Sequence, residues 1–179
     1  MQNFAACSKI SKMDRLVLFT AWGYFPESAS YNKGETAMGY EKVLLPVSGK
    51  HRLVRAARAL EEALHVVRED GEICFLHCVD EVPYLVTEEA HRKLILQDTR
   101  EAEKLLDPLV KRTKVAGINY SIHVAEGSPV THIPRFASEK KFNVVVMCTD
   151  GDSESFKLTM GSITGRVFQY LKVPLLIVH

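Results

Sequence analysis

The chain has 179 residues, 46% of them apolar, and a formal net charge of +1. That length suits one domain of ordinary size, and the apolar content is ample for a buried core. The basic residues are spread out and no apolar run approaches the ~20 residues of a membrane span, so we expect neither nucleic acid binding nor membrane insertion.

The four cysteines do not form a pattern typical of disulfides or zinc sites. Cys74 and Cys78 fall on one predicted strand, about 13 Å apart, which is too far for a bridge or a shared metal. The short apolar run at residues 16–22 is not followed by a small-residue cleavage site, so it is not predicted to be a signal peptide. We therefore expect a cytoplasmic protein in a reducing compartment.

Residues 1–40 differ from the rest of the chain and are assigned to an N-terminal extension. They mix serine, asparagine, glycine and proline with isolated aromatic residues, and only residues 16–20 suggest a strand. Two interpretations stay open. The extension is either loosely ordered or packed on the domain surface, or it is an arm that binds a partner or clasps a dimer.

The folded domain is predicted from residue 41 to residue 179. Its first strand covers residues 42–48, and a helix with apolar residues at helical spacing follows it and stops at Asp70 and Gly71. A second strand covers residues 73–79. A long helix then runs from about residue 87 to residue 114, and a third strand covers residues 118–124.

The second half of the domain repeats the same alternation. Ser128 and Pro129 open a helix, residues 142–148 form a buried strand, a helix follows Gly161, and residues 173–178 form the last strand. Strands that alternate with helices predict an α/β protein with a three-layer, doubly wound parallel sheet and right-handed crossovers.

Ligands of such sheets bind beyond the carboxyl ends of the strands, where the strand order reverses. Three strand ends and one helix start are predicted to converge there, and the glycines let a ligand approach the backbone. Ser162 is a candidate N-cap of that helix. The candidate binding residues are Pro46, Val47, Ser48, Cys78, Val79, Met147, Cys148, Gly151, Gly161, Ser162 and Ile163.

The loop before this helix is acidic, with Asp150, Asp152 and Glu154 against Lys157. Carboxylates disfavour a phosphate nearby. Either the acids point outward, or a divalent cation bridges them to phosphates, or the loop binds no phosphate. Cys148 also has two interpretations, a thiol activated by the nearby helix N-terminus or a buried and inert one.

The order of elements resembles that of the universal stress protein family over residues 41–179. The residues that carry the resemblance are Lys42-Val43-Leu44-Leu45-Pro46-Val47, Leu76-His77-Cys78-Val79-Asp80, Gly127-Ser128-Pro129, and the loop from Gly151 to Gly161-Ser162. The resemblance implies a five-stranded sheet of order 3-2-1-4-5. It also implies ATP bound by a Gly-x2-Gly-x9-Gly motif followed by serine or threonine.

Within that motif, Gly151 matches the second glycine, Gly161 the third, and Ser162 the hydroxyl residue beside the phosphates. Cys78 and Val79 match the end of strand two that faces adenine. Cys148 stands where the first glycine is usual, and Ser48 where nucleotide-binding members have an aspartate. The motif is thus degenerate, and we expect nucleotide binding to be weak or metal-dependent.

Three functions follow as expectations. The first is a non-catalytic regulatory protein of the stress response that binds ATP or another adenine nucleotide, with or without Mg²⁺. The second is a dimeric interaction protein of the same fold that binds no nucleotide. The third is a slow metal-dependent phosphohydrolase. Residues 173–178 read as an apolar edge strand, so we also expect a homodimer through antiparallel pairing of that strand.

Overall fold

A computed structural model describes residues 16–19, 39–48, 53–81, 86–148 and 162–178. These residues form six strands and four helices in the order β1 (Leu16–Phe19), β2 (Tyr40–Val47), α1 (Leu53–Val66), β3 (Val67–Val79), α2 (Glu88–Val115), β4 (Asn119–Glu126), α3 (Pro129–Glu139), β5 (Val144–Cys148), α4 (Ser162–Tyr170) and β6 (Leu175–Val178).

The strands form one sheet of order β1-β6-β5-β2-β3-β4. The five strands from β2 to β6 are mutually parallel. Numbered from β2, they have the order 3-2-1-4-5, so the predicted fold class is confirmed. The strand order reverses at β2, which pairs with β3 on one side and with β5 on the other.

Two apolar cores separate the sheet from its helices and make the three layers. One core joins α1 and the second half of α2 to the sheet, and the other joins α3 and α4 to the opposite face. Successive residues of β2 alternate between them, since Val43 and Leu45 lie in the first and Leu44 in the second. A strand covered on both faces must be apolar throughout, which explains the continuous apolar runs in the sequence.

The boundary between α1 and β3 differs from the predicted one. The helix ends at Val66, and the chain continues in β3 from Val67, so Asp70 and Gly71 lie within the strand. The register between β2 and β3 shifts between Tyr40 and Lys42. Gly71 is buried at this irregularity, where its backbone lies against that of β2. The glycine thus serves close strand packing and does not stop a helix.

Helix α2 matches its predicted extent closely and is 28 residues long. Thr87 caps it, because the hydroxyl oxygen accepts a hydrogen bond from the Ala90 amide at 3.3 Å. Pro108 lies inside the helix without dividing it, and Gly117 follows its end with φ +75°. None of the residues in the first half, 88–101, is buried, and the inward face begins at Ala102.

The last strand is not an edge strand, and that prediction is wrong. β1, which confirms the strand suggested within the N-terminal extension, pairs antiparallel with β6 along its whole length. All four residues of β6 are buried. Leu176 and Val178 belong to the core under α1, and Leu175 and Ile177 belong to the core on the other face.

None of the helices in the described part of the chain has the length and apolar character needed to cross a bilayer.

Replacing Gly71 with alanine should destabilise the protein by about 1–3 kcal/mol, because the site has no room for a methyl group. An added Cβ would lie 2.7 Å from Val67 Cγ2, 2.9 Å from the Glu41 carbonyl oxygen and 3.0 Å from the Tyr40 carbonyl oxygen. Chemical denaturation monitored by circular dichroism measures the change. The double variant Val67→Ala/Gly71→Ala is the control, and it should not recover wild-type stability, because both backbone oxygens remain. A free energy of unfolding for Gly71→Ala within about 0.5 kcal/mol of wild type would contradict the prediction.

The ion pair between Glu61 on α1 and Arg112 on α2 should make a small contribution to stability that is lost in acid. Arg112 donates to the two carboxylate oxygens of Glu61 at 2.7 and 2.8 Å. This hydrogen bond is the main cause of a lowered pKa for Glu61. Since the folded state binds the proton less readily than the unfolded chain, the contribution is present above the unfolded pKa of 4.5 and declines as pH falls through the folded value.

The difference in urea midpoint between wild type and Glu61→Gln should therefore be larger near pH 7 than near about pH 3.5. It should be modest at both values because both side chains are half exposed. Glu103→Gln, on the exposed face of α2, is the matched control. An equal difference at the two pH values would show that the pair does not act through this charge.

Candidate functional site

A cavity opens at the carboxyl ends of β2, β3 and β5, at the point where the strand order reverses. The first two turns of α1 and α3 and the first turn of α4 complete its walls, because each of these helices starts at the same end of the sheet. Its lining residues are Pro46, Val47, Ser48, Arg55, Ala56, Ala59, Leu76, Cys78, Pro129, Ile133, Met147, Cys148, Ile163 and Thr164.

Seven of the eleven candidate binding residues lie in the described part of this lining. The seven are Pro46, Val47, Ser48, Cys78, Met147, Cys148 and Ile163. Val79 lies at the end of β3 outside the lining, and its carbonyl accepts a hydrogen bond from the Gly127 amide at 2.8 Å. Ser162 begins α4, while Gly151 and Gly161 lie outside the described residues. The binding roles of all eleven stay predictions.

The acidic loop before α4 also lies outside the described residues. This applies to Asp150, Asp152 and Glu154, on which the cation-bridging and phosphohydrolase interpretations depend. Within the residues that are described, no group of three or more histidine, cysteine, aspartate or glutamate side chains could hold a metal ion.

The carboxyl ends of β2 and β3 are fixed to each other by His77. Its Nδ1 atom lies 2.8 Å from the Val47 carbonyl oxygen, the neighbouring residue in the sheet register. The ring is half buried and lies outside the cavity lining. This hydrogen bond adds to the backbone pairing of two of the strand ends that form the cavity.

Cys78 and Cys148 both line the cavity but lie on opposite faces of the sheet. Cys78 packs against the core under α3 and α4, whereas Cys148 packs against the core under α1. β2 lies between their strands, so their separation is about twice the 4.8 Å spacing of neighbouring strands, too far for a disulfide. Neither is in a disulfide.

Burial makes both thiols poor nucleophiles. It raises the pKa of Cys78 to about 11. Burial also raises the pKa of Cys148, and the positive charges of Arg58 and Arg55 on α1 offset only part of that rise. The inert interpretation of Cys148 therefore fits the structure better than the activated one.

Charge enters the described lining at one position only, Arg55 in the first turn of α1. Most of the remaining lining is apolar, and hydroxyl groups come from Ser48 and from Thr164, which is buried in α4. An apolar cavity with one guanidinium group suits a ligand with an apolar ring and an anionic part.

The residues predicted from the sequence include Ile163 of α4 but none of the residues that α1 and α3 contribute to the walls. Arg55, Ala56 and Ala59 come from α1, and Pro129 and Ile133 come from α3. A signal for Arg55 was available, since α1 begins a few residues after Ser48 and its first turn must lie beside the end of β2. The sequence alone does not predict which side of that turn faces the cavity.

The model of the universal stress protein family matches residues 39–179. The chain belongs to the universal stress protein family. A universal stress protein of Methanocaldococcus jannaschii is 26% identical over 169 residues, covering 93% of this chain and 96% of the relative. The resemblance stated from the strand and loop motifs is thereby confirmed.

Solved structures of universal stress proteins share this fold. One, solved in complex with cAMP, has a TM-score of 0.55 and 20% identity, covering 79% of this chain and 98% of the other. An Arabidopsis thaliana member with AMP bound has a TM-score of 0.53 and 19% identity, covering 76% and 90%. At these identities the likeness concerns the fold alone.

Alkylation by iodoacetamide should be slow at Cys78 and Cys148 in this universal stress protein. At about pH 8 the thiolate fraction of Cys78 is about 100-fold below that of an ordinary cysteine, and the raised pKa of Cys148 acts in the same direction. Peptide mass spectrometry gives the rate at each site, and the guanidinium-unfolded chain is the control. Equal rates in the folded and unfolded chain would contradict the prediction.

Proposed function

We propose that this protein binds an adenine nucleotide in the cavity at the ends of β2, β3 and β5, and that it acts in the stress response as a non-catalytic regulator. The observation that carries the proposal is the chemistry of the lining, in which apolar side chains surround one arginine. The apolar walls suit the adenine ring, and the Arg55 guanidinium suits a phosphate.

The position of the cavity supports the same ligand class. Open parallel sheets bind nucleotides at the reversal of strand order, which here lies at β2. Two universal stress proteins of the same fold were solved with cAMP and with AMP. Family membership therefore makes an adenine nucleotide the first ligand to test.

Two residues of the lining favour weak binding. Ser48 is exposed at the end of β2, where the family resemblance implies an aspartate that contacts the nucleoside. Its hydroxyl group offers a weaker hydrogen bond than a carboxylate would. Cys148 is half buried at the end of β5, where the resemblance implies a glycine, so its side chain occupies space beside the ligand.

Isothermal titration of the full chain with AMP, ATP, and ATP plus Mg²⁺ tests the proposal. We expect saturable binding of at least one of these ligands, and a larger heat with Mg²⁺ if a cation bridges the triphosphate to the chain. Absence of binding to all three at millimolar concentration would reject it. The alternative, an interaction protein with a degenerate pocket, would then account for the family membership.

Arg55→Met should weaken nucleotide binding by about tenfold, the usual effect of losing one charged hydrogen bond. Arg55→Lys keeps the charge and should lose less. Arg100→Met, on the exposed face of α2 and outside the lining, is the matched control and should bind like wild type. Calorimetric dissociation constants make the comparison. Equal losses in Arg55→Met and Arg100→Met would contradict a role for Arg55 in the cavity.

Two further expectations belong to this proposal. A cytoplasmic location agrees with the reduced state of Cys74, Cys78 and Cys148, none of which is in a disulfide. A homodimer through residues 173–178 is proposed only for molecules in which β1 has left β6, because β1 pairs with that strand in the single chain. With β1 in place, the chain is expected to be a monomer.

A further inference from the structure

The two ends of the five-stranded parallel sheet have opposite chemical character. No residue of β4 is buried, and the strand carries polar side chains such as Asn119, Ser121 and His123. Every residue of β6 is an aliphatic residue buried on one face or the other. An open β4 edge is therefore tolerable in water, whereas an open β6 edge would present an apolar strand with unpaired amide and carbonyl groups.

β1 covers the β6 edge with four consecutive residue pairs. Leu16, Val17, Leu18 and Phe19 lie opposite Val178, Ile177, Leu176 and Leu175. The pairing is antiparallel, unlike every other pairing in the sheet. An antiparallel neighbour does not require a crossover helix to reach its place in the sheet.

β1 lies outside the part of the chain that defines the family domain. The family model begins at residue 39, and without the residues before it β6 would be the end of the sheet. The match to the Methanocaldococcus jannaschii relative extends into the extension, because it covers 93% of the chain and residues 39–179 are only about four fifths of it.

Chain length allows β1 to reach β6 of its own chain without strain. The gap between β2 and the position of β1 is three strand spacings, about 14 Å. Residues 20–39 could span about 66 Å if extended, far more than the gap requires. A tethered strand of the same chain also has a higher effective concentration at β6 than a strand of another molecule.

We propose that β1 is an intramolecular cap that excludes a second copy of this chain from the β6 edge. An antiparallel pair of identical strands is self-complementary about a two-fold axis, so an uncovered β6 can pair with β6 of another copy. Such pairing and β1 pairing use the same backbone groups. The two cannot occur together. The proposal uses the homodimer considered above only to identify the competing partner, which is a second copy of this chain. It does not depend on nucleotide binding.

A cysteine pair in the full chain tests where β1 lies. Val17→Cys/Ile177→Cys places thiols on directly opposed residues, and Val17→Cys/Leu175→Cys displaces one of them by two positions along β6. After mild oxidation the first pair should form a disulfide within one chain, seen as monomer of altered mobility on a non-reducing gel. The second pair and the oxidised wild type should form much less of this species.

Light scattering of full-length variants tests whether β1 excludes a second copy. Val17→Pro/Leu18→Pro removes backbone amides at adjacent positions, one of which faces β6 whichever way the strand alternates. Val17→Thr/Leu18→Thr keeps residues that favour strands and is the matched control. We expect wild type and the threonine variant to be monomers at micromolar concentration and the proline variant to have twice their mass.

Three results would overturn the proposal. The first is a disulfide between two chains, which would place β1 on another copy. The second is a wild-type dimer that still forms the disulfide within one chain, since the cap would then exclude nothing. The third is a folded proline variant with the mass of wild type. If the proline variant does not fold, the disulfide experiment and the wild-type mass decide the matter.

Discussion

The pairing of β2 with β3 on one side and β5 on the other is the constraint on which the rest of this molecule depends. Both neighbours are parallel to β2, so each must be reached by a crossover that places a helix on a face of the sheet. The crossovers through α1 and α2 run from β2 toward β4 and cover one face, whereas those through α3 and α4 run the opposite way across the sheet and cover the other. Between the two groups of helices a crevice remains at the strand ends. The position of the cavity therefore follows from the topology of the sheet and does not depend on particular side chains.

Side chains then give this crevice its chemical character. His77 joins the ends of β2 and β3, so the floor of the cavity is held by a hydrogen bond from a residue outside the lining. Arg55 puts positive charge on one wall, while thiols at Cys78 and Cys148 stay protonated because burial raises the pKa of each. Within the described lining, these groups are better suited to holding an anionic ligand than to attacking one.

The elements that were predictable from sequence are those whose signal is local. Apolar runs identify β2 and β5, because both faces of those strands are covered. The apolar run from residue 16 identifies β1 by its strand propensity. The role of Gly71 was not predictable, because the two backbone oxygens that an added Cβ would meet belong to β2, 30 residues or more away in sequence. The spacing of apolar residues along the chain does not indicate which residues of two paired strands lie beside a register shift.

The same limit applies to the site and to the sheet edge. The topology of the sheet predicts which strand-end residues line the cavity. Predicting that Arg55 and Ile133 also line it requires the rotation of α1 and α3 about their axes. The sequence correctly indicated that β6 is apolar and would attract a partner strand. It did not indicate that the partner is β1, since the residues of a short apolar strand do not specify which strand pairs with it.

The uneven burial of α2 has a consequence for how this protein opens in solution. None of the residues in its first half, 88–101, is buried, whereas the second half packs on the core under α1. The turns of the first half are held by the Thr87 cap and by ion pairs of Glu88 with Arg92 and Glu89 with Lys93. Such turns exchange their amide protons by local fraying, with a protection that falls as salt screens the pairs, while the inner half exchanges with the core.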